Sequence, residues 1–115
     1  MGEQLAYSVI ATLPNEATLD EYVAWLRDGH IEAVVRGGAS AGWVIRHDPL
    51  PGMPLRVEAR YLFPSRAAFE RYVAESAPAL RAEGLARFPA SRGVTFERVV
   101  GMVEWAWTGN VGRLE

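Results

Sequence analysis

The chain has 115 residues, half of them apolar and 23% charged, with a net charge of −2, which fits one domain around one hydrophobic core and excludes a disordered chain. This weak negative charge provides no basic surface, so nucleic acid and membranes are not expected as partners. The absence of cysteine and lysine excludes disulfides, thiolate catalysis, cysteine-ligated metals and a lysine Schiff base.

The first predicted strand covers residues 4–13, where successive side chains point to opposite faces and most of them are apolar. Thr18 followed by Glu21 is typical of a capping box, so we expect a helix from about Leu19 that carries apolar side chains inward. Gly29 is expected to end this helix. A second, offset helical turn is then predicted from residue 30 to residue 35, ending at the pair Gly37-Gly38.

A predicted hairpin follows, with strands at residues 42–47 and 55–63 joined by a turn-rich connection. Alternation along the second of these strands separates two sets of side chains. One set is apolar and the other is mostly charged: Val57, Ala59, Tyr61 and Phe63 against Arg56, Glu58, Arg60 and Leu62. The apolar set is expected to lie under a helix.

Ser65 is a favourable helix N-cap after Pro64, and a helical apolar stripe begins behind it. Its members are Phe69, Tyr72, Val73, Ala77 and Leu80. Pro78 predicts a kink or a restart of the helix, which then runs to about Phe88. The last strand is predicted over residues 94–105 with a bend near Gly101, and residues 107–115 are expected to form a loose tail.

The order βαββαβ predicts an α+β, ferredoxin-like domain over residues 1–115, with a core at about 4–106. Two helices would cover one face of a four-stranded antiparallel sheet. The first and last strands are apolar on both sides, so the second face also needs cover. A second copy of the sheet would supply it, and the resulting homodimer would be an α+β barrel. Its interior would then hold some of Arg56, Glu58, Arg60 and Arg98.

Several segments resemble a family of small, uncharacterised bacterial proteins with a ferredoxin-like fold. They are the first helix with Trp25 and His30, the strand VEARYLFPS, the helix FERYVAESAPALRAE with RFP after it, and the strand with Arg98. The resemblance covers about residues 5–100 and implies the dimeric α+β barrel superfamily, alongside the antibiotic-biosynthesis monooxygenases. That superfamily includes cofactor-independent oxygenases, lactone isomerases, dehydratases and haem-degrading enzymes, so the fold selects no single chemistry.

The two histidines are the side chains suited to proton transfer near neutral pH. His30 would lie on the buried side of an unbroken first helix, so it is the candidate catalytic residue; the alternative is a hydrogen-bonded histidine at a helix end. His47, before Asp48-Pro49, is expected to stabilise a turn. The spacing of histidines and carboxylates predicts no metal site.

The candidate ligand-binding residues are Trp43, Arg56, Glu58, Arg60 and Arg98. Guanidinium groups inside a barrel need partners, which an acidic small molecule can supply, and a tryptophan can stack on an aromatic ligand. The alternative is a salt-bridge network that satisfies itself without a ligand.

Two functions follow from these residues. One is a homodimer that binds a small acidic or aromatic metabolite in its barrel cavity, with cofactor-independent monooxygenase- or isomerase-like chemistry. The other is a non-catalytic dimer with a filled interior. No cofactor is expected. A cytoplasmic location is expected, because no run approaches the roughly 18 apolar residues of a membrane helix and the N-terminus lacks a signal-peptide pattern.

Overall fold

Four strands form one antiparallel sheet in the computed structural model, which describes residues 3–109. The strands are β1 (Leu5–Leu13), β2 (Ala41–Arg46), β3 (Leu55–Phe63) and β4 (Thr95–Met102), in the spatial order β2-β3-β1-β4. The hairpin of β2 and β3 is confirmed by their antiparallel pairing. With β1 and β3 at the centre, the edges of the sheet are β2 and β4.

The helices pack on one side of this sheet. They are α1 (Glu16–Trp25), α2 (Ile31–Arg36), α3 (Arg66–Glu75) and α4 (Ala77–Arg87), with a short 3-10 turn at Ala90–Arg92. The restart predicted at Pro78 is confirmed, because α4 begins at Ala77 with the proline in its first turn. Proline fits there since the first amide groups of a helix have no intrahelical partner.

The predicted start of the first helix was wrong by one turn. Asn15 is the N-cap, and its Oδ1 accepts a hydrogen bond from the Thr18 amide at 2.8 Å. Thr18 is therefore inside α1 rather than capping it. Asparagine and threonine are both good caps, and the one that comes first in the chain captures the free amide groups.

An irregular segment, Leu26–His30, separates α1 from α2. Gly29 has φ 131° there, a backbone conformation that side-chain-bearing residues rarely adopt. The expected chain break at Gly29 and the offset helix after it are both confirmed, with α2 at Ile31–Arg36. This break turns the chain so that α2 leaves the axis of α1.

The sheet has a helix-facing side and an open face that no helix within residues 3–109 covers. Tyr7, Val57, Ala59, Tyr61 and Phe63 are buried under the helices. The open face carries the alternate positions of each strand, among them Ser8, Ile10, Trp43, Ile45, Arg56, Glu58, Arg60, Glu97 and Val99. The predicted alternation of β3 is therefore confirmed.

The last strand is shorter than predicted. It ends at Met102, opposite Leu5, because β1 offers no further strand residues to pair with. The register runs without a bulge from Thr95 to Met102, so the bend expected near Gly101 is absent from the paired residues. The predicted tail at 107–115 lies largely outside the described residues. Among residues 3–109, no helix has the length and apolar character needed to cross a membrane.

Candidate functional site

A pocket with a cavity volume of about 40 Å³, and about 500 Å³ when its open mouth is included, lies between the helix-facing side of the sheet and helices α1 and α4. Its walls are mainly aromatic, and three cationic or titratable side chains reach it. The aromatic residues are Tyr7, Tyr22, Trp25, Tyr61, Tyr72 and Phe96, and the polar ones are His30, Arg81 and Arg98. Aromatic walls with a few polar groups are typical of small-molecule sites.

Two of these residues lie together near the end of α1. Tyr22 and Trp25 point inward from α1, and their rings stack with centroids 5.9 Å apart. The irregular segment then returns His30 to the same wall, where its imidazole stacks on Trp25 at 4.2 Å and 26°. His30 thus lies on the buried side, as expected from the sequence, although Asp28 and Gly29 interrupt the helix before it.

α4 closes the other side of the pocket. Its Gly84 lies beneath Trp25, and a Cβ atom built there would stand 3.2 Å from Trp25 Cη2. That contact is tighter than ordinary packing, so the glycine lets the helix approach the indole closely. Arg81, one turn earlier, extends toward β1 and donates a long hydrogen bond of 3.4 Å to the Tyr7 hydroxyl.

Three buried polar atoms around this pocket lack a hydrogen-bond partner among residues 3–109. They are His30 Nδ1, the Tyr61 hydroxyl and Arg81 Nε, and all three residues line the pocket. Buried polar groups in folded proteins are nearly always paired, and each unpaired group costs about 1–3 kcal/mol. Two donor groups and, in the tautomer with the proton on Nε2, one acceptor thus belong to residues that line a single space.

The protonation states of these groups follow from their burial. Burial lowers the pKa of His30 to about 4, so the imidazole is neutral at pH 7. Burial raises the pKa of Tyr72 to about 12 and that of Tyr61 further, so both hydroxyls stay protonated. The pocket therefore offers a neutral histidine, protonated phenols and the permanent charges of Arg81 and Arg98.

A second cluster lies on the open face around Glu58, which is 7% exposed. Its carboxylate accepts hydrogen bonds from Ser8 Oγ at 2.7 Å and Arg60 Nε at 2.9 Å, and its other oxygen lies 3.0 Å from His47 Nε2. Burial acts to raise the pKa of Glu58, but the hydrogen bonds from Ser8, His47 and Arg60 outweigh it and the pKa is lowered. The carboxylate is fully satisfied by its own chain.

The site residues expected from the sequence fall into two groups. Trp43, Arg56, Glu58 and Arg60 share the open face as expected, with Trp43 opposite Arg60 on the neighbouring strand. Arg98 does not join them, because it is paired with Val9, whose side chain points to the helices. Arg98 instead lines the pocket together with His30. One expected site is thus divided between the two sides of the sheet.

Sequence reasoning did not select Arg81 or the tyrosines as site residues. Tyr61 and Tyr72 were assigned to the core, which they also join. Arg81 directly follows Leu80 of the predicted apolar stripe and lies three residues before Gly84. The sequence did contain a signal for Arg81. Residues i and i+3 share a helix face, so Arg81 and Gly84 could be expected to lie together beside the apolar stripe. Within residues 3–109 no three His, Asp or Glu side chains are grouped to hold a metal ion.

Several hydrogen-bond donors contact the Glu58 carboxylate, so the effects of removing two of them on the free energy of unfolding should not add. Arg60→Met and His47→Gln should each lower the free energy of unfolding by about 1 kcal/mol or less, because two donors remain and Arg60 is 53% exposed. The double variant should lose about 1 kcal/mol more than the sum of the two, since a buried carboxylate is then poorly satisfied. Urea melts at pH 7 measure this coupling, with Arg71→Met as the surface-arginine control. Strict additivity would contradict a shared network.

No protein-family model matches the sequence, and no curated protein is significantly similar to it. Solved structures do match its shape. A dimeric ferredoxin-like protein from an uncultured marine organism has a TM-score of 0.66 at 14% identity, covering 92% of this chain and all of that one. SnoaB, a cofactor-independent oxygenase from Streptomyces nogalater, has a TM-score of 0.62 at 14% identity, with coverage of 91% and 97%.

A third similar structure is a Dabb family protein from Mesorhizobium loti, described as having a ferredoxin-like fold. Its TM-score is 0.58 at 17% identity, and the match covers 91% of this chain and all of that one. This chain has a ferredoxin-like fold. The ferredoxin-like fold expected from the sequence is thereby confirmed. Because ferredoxin-like domains host many unrelated functions, the chemistry must be argued from the pocket.

Proposed function

We propose that this protein is a homodimer that binds a small aromatic metabolite carrying a hydroxyl and an acidic group, in the pocket of each subunit. The observation that supports this most directly is that three residues with an unpaired, buried polar atom line one aromatic-walled space. An apolar ligand alone would leave these atoms unsatisfied. A ligand with matching polar groups would pair them, and the binding free energy would include that gain.

The lining indicates the class of ligand. Trp25 and the tyrosines favour a planar ring. Arg81 and Arg98 make no ion pair among residues 3–109 and favour a carboxylate or another anion, which a guanidinium binds through paired hydrogen bonds. His30 Nδ1, as the neutral acceptor, favours a ligand hydroxyl. A hydroxylated aromatic acid satisfies all three requirements.

The same groups support proton abstraction as the chemistry of the site. Burial makes the imidazole of His30 a weak base in the empty pocket, and a bound anion beside it would raise its pKa and let it accept a proton from a phenol or enol, while the arginines and tyrosine hydroxyls stabilise the anion that forms. Isomerisation and cofactor-free oxygenation both begin from such an electron-rich anion. The fold likeness to SnoaB, a cofactor-independent oxygenase, is in line with this class of reaction.

The homodimer is supported by the open face. It has no cover within the described chain, yet it presents Trp43 at 47% exposure and Val99 at 48%. Large exposed apolar side chains gathered on one face are typical of interaction surfaces. The marine structure with the same fold is described as dimeric. We assign Trp43, Arg56, Glu58 and Arg60 to this interface, because Glu58 already has three partners in its own chain and needs no ligand.

Binding of hydroxylated aromatic acids tests this proposal. Titration calorimetry with salicylate and hydroxynaphthoates should detect binding to the wild type. Arg81→Met should weaken the affinity at least about tenfold, because a charge-assisted contact is lost. Arg71→Met, an exposed arginine of α3, is the matched control and should bind as the wild type does.

Arg60→Met separates this pocket from a site between the two sheets. It should leave the affinity unchanged if the ligand lies under the helices. Loss of binding in Arg60→Met with full binding in Arg81→Met would place the ligand on the open face and contradict the pocket. No binding by any of these acids would rule out the proposed ligand class.

A further inference from the structure

A C-terminal arm, residues 103–109, continues the chain beyond β4. Its first residue is still aligned with the sheet, because the Val103 amide donates a hydrogen bond of 2.9 Å to the Gln4 carbonyl. From Glu104 onward no strand of the described chain lies beside it. Six residues of extended chain span about 20 Å, so the arm is long enough to pass from one copy of the protein onto another.

The arm presents two stacked tryptophans to solvent. Trp105 and Trp107 are 74% and 82% exposed, and their rings lie 5.8 Å apart at 11°. They account for half of the tryptophans of the chain. Two indoles without a covering group expose a large apolar area, and tryptophan is the residue most enriched at the energetic centres of protein interfaces.

Trp105 and Trp107 continue the odd-numbered positions that lie on the open face in β4. Glu97, Val99 and Gly101 occupy open-face positions of β4, and Trp105 and Trp107 have the same odd-numbered parity. The sheet of their own subunit ends at Leu5 opposite Met102, so it has no surface beneath the arm. Within residues 3–109 nothing covers these rings, and an extended arm would direct them to the side of the open face.

The open face carries side chains of both charges. Arg56 and Glu97 both lie on it, are of opposite sign, and make no ion pair among residues 3–109. A two-fold contact brings the same patch from both copies together, so it requires a patch that is self-complementary in charge. This balance favours a second copy of the chain as the partner over a protein of one dominant charge.

We propose that the C-terminal arm clasps a second copy of this chain, with Trp105 and Trp107 packed on the exposed apolar residues of that copy's open face. This inference rests on the homodimer of the proposed function and adds that the C-terminal arm stabilises that dimer. Each subunit gives one arm and receives one. The arm thereby extends the interface past the edge of the sheet.

Sedimentation equilibrium of matched double variants tests the arm. Trp105→Ser/Trp107→Ser should raise the dimer dissociation constant at least about tenfold over the wild type. The control is Leu50→Ser/Met53→Ser, which removes two exposed apolar residues of the β2–β3 connection and should leave dimerisation unchanged. Circular dichroism checks that both variants fold, which is expected because none of the four side chains belongs to the core.

Acrylamide quenching supplies a second readout that needs no change in the arm. Trp43 lies on the proposed interface, so the dissociation constant of Trp43→Phe is first measured by sedimentation; in that background, quenching of tryptophan fluorescence should decrease as protein concentration passes through its own dimerisation range, because the arm rings become covered. A stable dimer with an unaltered dissociation constant in the arm variant and unchanged quenching would overturn the arm and leave the homodimer standing. A wild type that is monomeric at every concentration would overturn both, whereas pocket binding is measured separately.

Discussion

Replacing Phe69 with alanine is expected to lower the free energy of unfolding by about 3–5 kcal/mol, the range for a large buried aromatic side chain. Phe69 joins α3 to both central strands. Its ring lies 5.0 Å from that of Tyr7 on β1 and 5.2 Å from that of Phe63 on β3. The cavity left by the truncation would be walled by rigid rings, which cannot collapse to fill it.

Leu85→Ala is the matched control for this measurement. Leu85 lies on α4 and is 53% exposed, so its truncation should cost less than about 1 kcal/mol. Urea unfolding of both variants at one protein concentration gives the comparison, since any contribution from the proposed dimer would then be the same for each. A loss below about 1 kcal/mol for Phe69→Ala would mean that α3 does not pack on the sheet through this ring.

Acid is expected to destabilise the protein through His30. Burial lowers its pKa from 6.5 to about 4 in the folded protein, so the unfolded chain binds the proton more readily between those values. This contribution to stability is complete above pH 6.5 and is lost as the pH falls toward 4. The loss between pH 7 and pH 5 should be about 2 kcal/mol.

His30→Phe isolates this effect. Phenylalanine can stack on Trp25 as the imidazole does but does not titrate, so the loss from this site between pH 7 and pH 5 should disappear. Glu58 also has a lowered pKa, but its contribution is lost only below its ordinary value of 4.5. Equal pH dependence in the wild type and His30→Phe would show that the imidazole titrates freely and is not buried in the pocket.

Much of the fold could be predicted from local signals. Alternation along β3 gave its two faces, and Ser65 and Pro78 marked where helices begin, because caps and prolines act through the nearest backbone groups. The end of β4 could not be predicted in this way. It depends on where β1 begins, and a strand stops when its partner does.

The pocket was harder to predict than the sheet, because it depends on which face each strand residue takes and on how two helices lie over them. Arg98 was grouped with the charged residues of β3, although it has the same parity as Phe96 and Met102 on the helix-facing side. A shift of one residue changes the face of every side chain in a strand. Arg81 and His30 line the same pocket from two different helical segments.

The position of β4 at the edge of the sheet bears on how the protein behaves during folding. From Val99 to Met102 the strand carries no charged residue, and its outer backbone groups have no neighbouring strand in the described part of the chain. An uncharged apolar edge of this kind is a template on which further chains can add and form aggregates. In the proposed homodimer the partner would cover the arm that continues this edge, so association should lower the tendency to aggregate and dilution to monomers should raise it.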